Sequence, residues 1–499
     1  DINDLKQEVQ DYYLVHKSIH KTRALANRQR FNGRVILRTT RHFFQVLRSE
    51  FREWGQQETA FLGVIIDQDV AVGTIAHRDT ARKKLEKRMM IAVDVVITAA
   101  FVVPVVPQDA VLLNHAVVLL RGRILAILPQ SEAFTKYAPQ QRVDLGEQIL
   151  LPGLVNAHSH AGMTLLRGFS DDKPLHQWLG EDIWPAEGAF VSPAFVRDGA
   201  LLAAAEMIRG GTTCVNDMYF FPEAACEVLE RVGLRGVIGQ IVLDFPSSYA
   251  SSVDEYFEKA RVALEKYKNH ELITLTVAPH APYTVGEASL LRVEALSQEH
   301  GAQIHIHMHE TKAECQDSAQ QNKESMSCHR SDEHSTPLAN FKRLGLLSER
   351  LVCVHMTHLT EAEVDAIAEA KAHVVHCPSS NLKLASGVCP VTTLLEKGAN
   401  VAIGTDSAAS NNRLDMFAEM RLTALLAKAH SMESASVSAA TALQMATLNG
   451  AKALGLAGEI GSLEVGKRAD LIAVACDVTE MMPLYSAVSH LVYVAGREK

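Results

Sequence analysis

The chain has 499 residues, of which 47% are hydrophobic and 21% are charged, and this is the balance of a soluble globular protein. Its net charge of -9 at pH 7 argues against nucleic acid as a partner, because a nucleic-acid surface attracts basic proteins. No stretch reaches the roughly 18 uncharged apolar residues of a membrane-spanning helix, so we expect no membrane partner either.

Residues 1–88 differ in charge from the rest of the chain. They contain 17 Lys and Arg against 11 Asp and Glu, a net charge of +6, and they end in a basic run before Met89 and Met90. We expect this extension, whose structure the sequence does not indicate, to lie upstream of a true start at Met89 or Met90. A small appended helical region and a basic arm for nucleic acid are the alternatives.

The cysteines and the first residues bear on the cellular compartment. The eight cysteines include no C-x-x-C pair, and buried reduced thiols are typical of a reducing compartment. Residues 1–6 lack the apolar core of a signal peptide. We therefore expect a cytoplasmic protein.

Two β-rich stretches flank a long middle segment. Runs rich in Val, Ile and Leu between turn signals predict strands at 95–97, 116–120, 123–128, 469–474 and 490–494. We expect residues 91–150 and 463–499 to form one small β-sandwich domain, built from segments on both sides of the middle.

Residues 151–462 alternate short apolar runs with amphipathic helical patterns such as 193–208 and 252–268. The runs lie at 213–216, 234–242, 272–278, 303–307, 351–355, 373–376 and 401–404. Strand–helix alternation over this length indicates a parallel sheet. With about eight units, the expected fold is α/β, a closed (β/α)8 TIM-type barrel. An open doubly wound sheet is the alternative, but no G-x-G-x-x-G opens a helix after the first strand.

Barrel enzymes place their chemistry at the C-terminal ends of strands, and the first predicted strand ends in His158 and His160. On an extended chain, residues two apart point the same way. These two histidines can therefore offer two imidazole nitrogens to one metal ion. Two partly exposed histidines are the alternative for a lone H-x-H pattern.

A later predicted strand carries His305, His307 and His309 on one side and is followed by Glu310. Three histidines within five residues of an apolar strand are costly to bury unpaired. This cost favours a metal site, although not all three histidines need be ligands. Glu310, just past the strand end, would place a carboxylate beside a water molecule bound to the metal.

Three further strand ends carry Asp406, His355 and His280. Asp406 can ligate a metal or accept a proton, with a helix N-cap as the alternative. A single strand-end histidine is usually structural, but five reactive strand ends together are hard to explain as packing.

Three imidazoles and one carboxylate suit Zn²⁺, with Fe²⁺ and Mn²⁺ as alternatives. Such a metal lowers the pKa of water from 15.7 towards about 7, as hydrolysis requires.

With these motifs identified, the sequence from about residue 92 to the C-terminus resembles the amidohydrolase superfamily in its mononuclear deaminase branch. The resemblance is closest to the 5′-methylthioadenosine/S-adenosylhomocysteine deaminases, and residues 1–88 are not covered by it. The matching text is PGLVNAHSHAGMTLLRG (152–168), APHAPYT (278–284), HMHET (307–311), VVHCPSSNLKLASG (374–387) and GTDSAASNNRLDMFAEMR (404–421).

The resemblance implies roles for the strand-end residues. It implies metal ligands at His158, His160, His307 and Asp406. It further implies that Glu310 carries a proton from the attacking water to the purine ring, and that His355 orients that water or the developing oxyanion. Asp406 would also accept a proton from the water and pass it to the leaving ammonia.

The resemblance also implies a substrate pocket. Glu187 falls where the family binds ribose hydroxyls, a task that suits a carboxylate because it accepts two hydrogen bonds. Without the resemblance to this family, Glu187 would be interpreted as a solvated surface residue. His280 matches a histidine that contacts substrate, and Trp178 either lines the pocket or packs in the core.

The implied reaction is hydrolytic deamination of an adenine nucleoside to its inosine analogue and ammonia. Family members that favour S-adenosylhomocysteine can carry arginines after the third strand, whereas residues 239–246 contain none. This difference favours 5′-methylthioadenosine, with S-adenosylhomocysteine and adenosine as alternatives.

Competing functions are a guanine or cytosine deaminase, a chloro-s-triazine hydrolase and, from another class, an inactive scaffold. The partner is then a small-molecule purine nucleoside, and related enzymes suggest a homo-oligomer.

Two features depart from the family pattern. Ser407 stands where glycine is usual. Residues 321–336 form a longer and more polar stretch than the family loop, which indicates either a lid insertion or a sequence irregularity. A second metal site from Cys328, His329 and His334 is the remaining alternative for this stretch.

Overall fold

A computed structural model of the chain describes residues 90–325 and 336–498. The predicted N-terminal extension, residues 1–88, lies outside the described residues. Cys328, His329 and His334 of the polar stretch also lie outside them. In the described part, the strands form an eight-stranded parallel sheet and a six-stranded mixed sheet.

The strands are numbered here in chain order. They are β1 (Ile91–Val102), β2 (Leu112–Leu120), β3 (Arg123–Pro129), β4 (Tyr137–Asp144), β5 (Ile149–Pro152), β6 (Leu154–Ser159), β7 (Thr212–Tyr219), β8 (Arg235–Val242), β9 (Ile273–Pro279), β10 (Ile304–Met308), β11 (Leu351–His355), β12 (His373–His376), β13 (Asn400–Ile403) and β14 (Leu471–Val474).

The α-helices of the described part are numbered in the same way. They are α1 (Gln130–Lys136), α2 (Leu175–Trp178), α3 (Trp184–Phe190), α4 (Pro193–Arg209), α5 (Pro222–Val232), α6 (Val253–Tyr267), α7 (Glu287–His300), α8 (Lys312–Ser325), α9 (Pro337–Arg343), α10 (Glu361–Ala370), α11 (Pro378–Lys383), α12 (Val391–Glu396), α13 (Ala408–Asn411), α14 (Met416–Ser431), α15 (Ala439–Met445), α16 (Leu448–Ala453) and α17 (Ala487–Tyr493).

Strands β6 to β13 form the larger sheet, in which each strand pairs in parallel with the next strand of the chain. Strands of a parallel sheet are covered on both faces and therefore appear in the sequence as continuous apolar runs. The runs predicted at 351–355 and 373–376 coincide with β11 and β12. The (β/α)8 TIM-type barrel is confirmed.

Helices α4 and α6 follow the predicted segments 193–208 and 252–268. Each begins after a serine whose hydroxyl accepts an N–H of the first turn, Ser192 for α4 and Ser252 for α6, and such a cap satisfies a backbone donor that the helix leaves free. None of the described helices combines the length and the apolar character needed to cross a bilayer.

Side-chain and backbone bonds join the last barrel strand to the first. Asn156 accepts the N–H of Thr405 at 3.0 Å and donates to the Thr405 hydroxyl at 2.7 Å. The N–H of Asp406 donates to the carbonyl of His158 at 3.0 Å. A Cβ atom on Gly404 would lie 2.8 Å from the backbone nitrogen of His158, so only glycine permits this approach. The junction therefore brings Asp406 beside His158.

The smaller sheet joins the two predicted flanks. Strand β1 pairs antiparallel with β2 and parallel with β4 and β5, and β14 pairs antiparallel with β5. These hydrogen bonds place strands from both sides of the barrel in one six-stranded sheet. The boundaries of a separate sandwich domain, 91–150 plus 463–499, stay a prediction.

The prediction of a strand at 490–494 is wrong, because residues 490–493 lie in helix α17. Ser486 caps α17 by accepting the N–H of Ser489. The buried residues Ala487, Val488, Leu491 and Val492 follow the spacing of one helical face rather than the alternation of a strand. Helix α17 packs against α14 and α15, which in turn contact β13 of the barrel. Among the described residues of the C-terminal flank, β14 is the one strand in the smaller sheet.

Candidate metal and active site

Apart from Glu187 in helix α3, the predicted site residues lie in the last residues of barrel strands or just past them, where barrel enzymes carry their chemistry. Three residues there adopt a left-handed backbone conformation: His309 with φ 51°, His355 with φ 77° and Asp406 with φ 60°. Non-glycine residues adopt this conformation at a cost, and such residues cluster at functional sites. The conformation turns the chain sharply as each of the strands β10, β11 and β13 ends.

Four side chains from β6, β10 and the end of β13 converge on one point. The Nε2 atom of His307 lies 3.2 Å from the Nε2 atoms of both His158 and His160. Oδ1 of Asp406 lies 3.3 Å from Nε2 of His158 and 3.2 Å from Nε2 of His160. Two ligands held at about 2.0 Å by a tetrahedral zinc ion stand about 3.3 Å apart. The spacing therefore fits a divalent cation.

The outer ring nitrogens of these histidines have partners that set the tautomer. Nδ1–H of His160 donates to the carbonyl of Met218, and Nδ1–H of His307 donates to the carbonyl of His280 at 2.8 Å. Each Nε2 is then left with a lone pair directed at the cluster. Lone pairs repel one another unless a cation lies between them, so the donor set itself favours a metal.

The third histidine of the cluster, His158, has another imidazole as its partner. Its Nδ1 lies 3.0 Å from Nε2 of His305. His305 was predicted on the same strand side as His307 and His309, and the structure places it beneath the cluster rather than in it. His309 turns away, because its Nδ1–H donates to the carbonyl of His358 at 2.6 Å and its Nε2 accepts the N–H of Leu338.

The carboxylate of Asp406 is fixed through both oxygens. Oδ1 accepts the N–H of Ser407 at 2.8 Å, and Oδ2 accepts the hydroxyls of Ser380 at 2.5 Å and Ser410 at 3.1 Å. Although burial opposes ionisation, the neighbouring imidazoles hold the pKa of Asp406 well below its usual range. A charged carboxylate at this point suits a cation.

Glu310 is buried beside the cluster. Its Oε2 lies 3.7 Å from Nε2 of His355, and its Oε1 accepts the hydroxyl of Ser386 at 3.4 Å. Burial raises the pKa of Glu310, which brings its protonated form closer to neutral pH. Nδ1–H of His355 donates to Oδ1 of Asn381 at 2.8 Å, which fixes the orientation of its ring.

Glu187 of α3 faces the same cavity as the cluster. Its Oε1 accepts the hydroxyl of Tyr219, the last residue of β7, at 2.8 Å. Burial raises the pKa of Glu187 to about 7, and the Tyr219 hydrogen bond only partly offsets this. Burial also lowers the pKa of His280 to about 3, so this imidazole is neutral. Both residues can exchange hydrogen bonds with a polar ligand.

The cavity that these residues share has a volume of about 490 Å³, within the range of small-molecule sites. Of the predicted site residues, those that line it are His160, Glu187, His280, His307, Glu310, His355 and Asp406. Trp178, whose two interpretations were left open, also lines it. Among the described lining residues there is no lysine or arginine.

Sequence reasoning missed Tyr219, Ser380 and Asn381. Tyr219 ends an apolar strand, so the strand-end criterion that selected His158 and Asp406 also applies to it. Ser380 and Asn381 lie in a helix of six residues, α11, and within the matching stretch 374–387, which was the one signal that could have drawn attention to them.

The sequence matches the Amidohydrolase family over residues 149–497. A relative named 5-methylthioadenosine/S-adenosylhomocysteine deaminase, from Teredinibacter turnerae, is 44% identical over 401 residues, which are 80% of this chain and 88% of the relative.

Solved structures share the fold. A zinc-bound adenosine deaminase from Xanthomonas campestris is 47% identical, with a TM-score of 0.79 over 82% of this chain and 91% of that chain. A triazine hydrolase variant has a TM-score of 0.73 over 80% of this chain and 91% of its own. At 20% identity, the second likeness concerns the fold alone.

Proposed function

The chain belongs to the amidohydrolase family, and on that premise we propose that it hydrolytically deaminates an adenine nucleoside. One observation carries the proposal: two glutamates, Glu310 and Glu187, line the same cavity as His160, His307 and Asp406 of the four-residue cluster, which places a proton-transfer group and an acceptor for ribose hydroxyls beside a candidate metal site. A deaminase needs these three functions together, whereas an inactive scaffold needs none of them.

We propose one divalent metal ion, held by His158, His160, His307 and Asp406. The nitrogen and oxygen donors favour zinc, with iron or manganese as alternatives, and the similar adenosine deaminase has zinc bound. When bound, the ion lowers the pKa of water towards about 7 and so provides a nucleophile at neutral pH.

The side chains around the cluster would move the protons of the reaction. Glu310 takes a proton from the attacking water and delivers it to N1 of the adenine ring, which makes C6 electrophilic. His355, fixed by Asn381, stabilises the oxygen that adds to C6. Asp406 accepts the second proton and passes it to the amino group, which leaves as ammonia. General acid–base steps of this kind contribute about 10²- to 10⁴-fold in rate.

Replacement of Glu187 by Gln should raise KM for nucleosides by about 10- to 100-fold and leave KM for free adenine unchanged. A hydrogen bond to a charged acceptor contributes about 1.5–3 kcal/mol, and the free base lacks the ribose that would use it. Because burial raises the pKa of Glu187 to about 7, the difference should be largest above pH 7, where the carboxylate is ionised.

Steady-state kinetics of Glu187→Gln on both substrates would measure this effect. Glu181→Gln is the matched control, since Glu181 precedes the same helix, is exposed and pairs with Lys173. An unchanged nucleoside KM in Glu187→Gln would remove Glu187 from the ribose site.

The cavity favours a nucleoside without a charged 5′ substituent. With no lysine or arginine among the described lining residues, the carboxylate of S-adenosylhomocysteine would lack a counter-charge there. We expect ammonia release from 5′-methylthioadenosine with a kcat/KM at least about 10-fold above that of S-adenosylhomocysteine.

A panel of 5′-methylthioadenosine, S-adenosylhomocysteine, adenosine, guanine, cytosine and a chloro-s-triazine tests the proposed function as a whole. Chloride release from the triazine, or ammonia only from guanine or cytosine, would contradict it. A cytoplasmic location and a homo-oligomeric assembly belong to the same proposal, and centrifugation of the purified protein would test the assembly.

A further inference from the structure

A second buried glutamate, Glu314, holds the backbone of the segment that carries Glu310. Its Oε1 accepts the N–H of His309 at 2.9 Å, and its Oε2 accepts the N–H of Glu310 at 2.8 Å. Only 5% of Glu314 is exposed. One carboxylate therefore binds two consecutive peptide N–H groups, one with each oxygen.

This arrangement differs from an ordinary helix cap. The pattern Thr311-x-x-Glu314 is typical of a capping box, in which the glutamate accepts the N–H of the capping residue. At α10, Glu363 does this with Thr360, at 2.8 Å. Glu314 instead accepts the N–H groups one and two residues before Thr311. Its hydrogen bonds therefore hold the end of β10 rather than only the start of α8.

The segment that Glu314 holds is strained and is fixed from the other side as well. His309 has φ 51°, a conformation that non-glycine residues rarely adopt. The hydroxyl of Thr357 donates to the carbonyl of Glu310 at 2.7 Å, and the N–H of Thr357 donates to the carbonyl of His309 at 2.9 Å. Donors and acceptors on both sides therefore determine where the Glu310 side chain leaves the backbone.

We propose that Glu314 is a positioning residue for proton transfer, which sets the place of the Glu310 carboxyl group through the backbone N–H groups of His309 and Glu310. The inference rests on the proposed deaminase function. A displacement of about 1 Å at a reacting group can lower a rate about 10²-fold. Glu314 does not line the cavity or belong to the four-residue cluster, so it should affect neither substrate binding nor metal binding.

Glu314→Gln should lower kcat by about 10- to 100-fold, with KM within about 2-fold of the wild type and an unchanged metal content. Glutamine keeps one accepting oxygen but directs an NH₂ group at the other peptide N–H. The pH dependence of kcat should also change, because displacement of Glu310 alters the distance between its carboxyl group and the His355 ring. If Glu314 served only as a structural cap, its replacement would lower the melting temperature but would not lower kcat at a constant KM.

Glu255→Gln is the matched control. Glu255 lies in the pattern Ser252-x-x-Glu255 at the start of α6, and it accepts the N–H of Ser251 at 2.7 Å on the protein surface. The control loses a comparable bond, and its kcat should stay at the wild-type value. If Glu314→Gln has the same kcat as Glu255→Gln, the inference is wrong.

A second variant tests the same inference through Thr357, which bonds the carbonyl groups of the same two residues, and it applies even if Glu314→Gln does not fold. Thr357→Val loses the hydroxyl bond to the Glu310 carbonyl and should lower kcat with little change in KM, whereas Thr357→Ser should restore most of kcat. Unchanged kcat in Thr357→Val would overturn the inference. A wild-type enzyme that releases no ammonia would instead overturn the proposed function.

Discussion

Glu310→Gln should lower kcat by about 10²- to 10⁴-fold while the protein keeps its full metal content. Glutamine preserves the size of the side chain but cannot carry a proton between the attacking water and the adenine ring. The burial that raises the pKa of Glu310 supports this role, because a general acid must hold its proton near the operating pH. KM should change little, since the ring still fits the cavity.

The measurement is steady-state ammonia release together with metal analysis of the same preparation. Glu361→Gln serves as the control, since Glu361 is an exposed glutamate in the first turn of α10. Activity of Glu310→Gln within about 10-fold of this control would contradict the role of Glu310.

Removal of the metal by a chelator should abolish turnover and lower the melting temperature, and added zinc should restore both. Without a cation, three Nε2 lone pairs and a carboxylate oxygen meet at 3.2–3.3 Å. A ligand that binds only the folded state stabilises it by about 4 kcal/mol at a thousand times its Kd.

Asp406→Asn should remove most of this response, because the amide loses the charge that the cation requires. His430→Gln, at an exposed histidine of α14, should respond to chelation as the wild type does. Full activity of the wild type after complete metal removal would rule out the metal-dependent reaction.

The barrel, and a cluster of histidines and a carboxylate at the ends of its strands, could be predicted from the sequence because each depends on local patterns. Continuous apolar runs identify parallel strands, and the ends of those strands identify the catalytic face. Strand alternation selected His158, His160 and His307, whereas the choice of His307 over His305 and His309 as a metal ligand came from the resemblance to a known family. The roles of Glu187 and His280 came only from the resemblance to a known family.

The remaining features depend on contacts between distant residues, or on backbone turns that interrupt a pattern. The alternation of β10 placed His309 beside His307, but the left-handed φ of His309 ends the strand and turns its ring away. The hydrogen bond between Tyr219 and Glu187 joins residues on different elements. The end of helix α17 was predicted as a strand, because the spacing of apolar residues in so short a segment is compatible with both a helix and a strand.

X-ray diffraction at a metal absorption edge, on crystals of the purified protein, is the decisive experiment for the proposed metal site. We expect one anomalous peak per chain, about 2.0–2.2 Å from the Nε2 atoms of His158, His160 and His307 and from a carboxylate oxygen of Asp406. A peak at other residues would contradict the proposed site. A crystal saturated with metal in which these four side chains lie apart and hold no ion would contradict it as well.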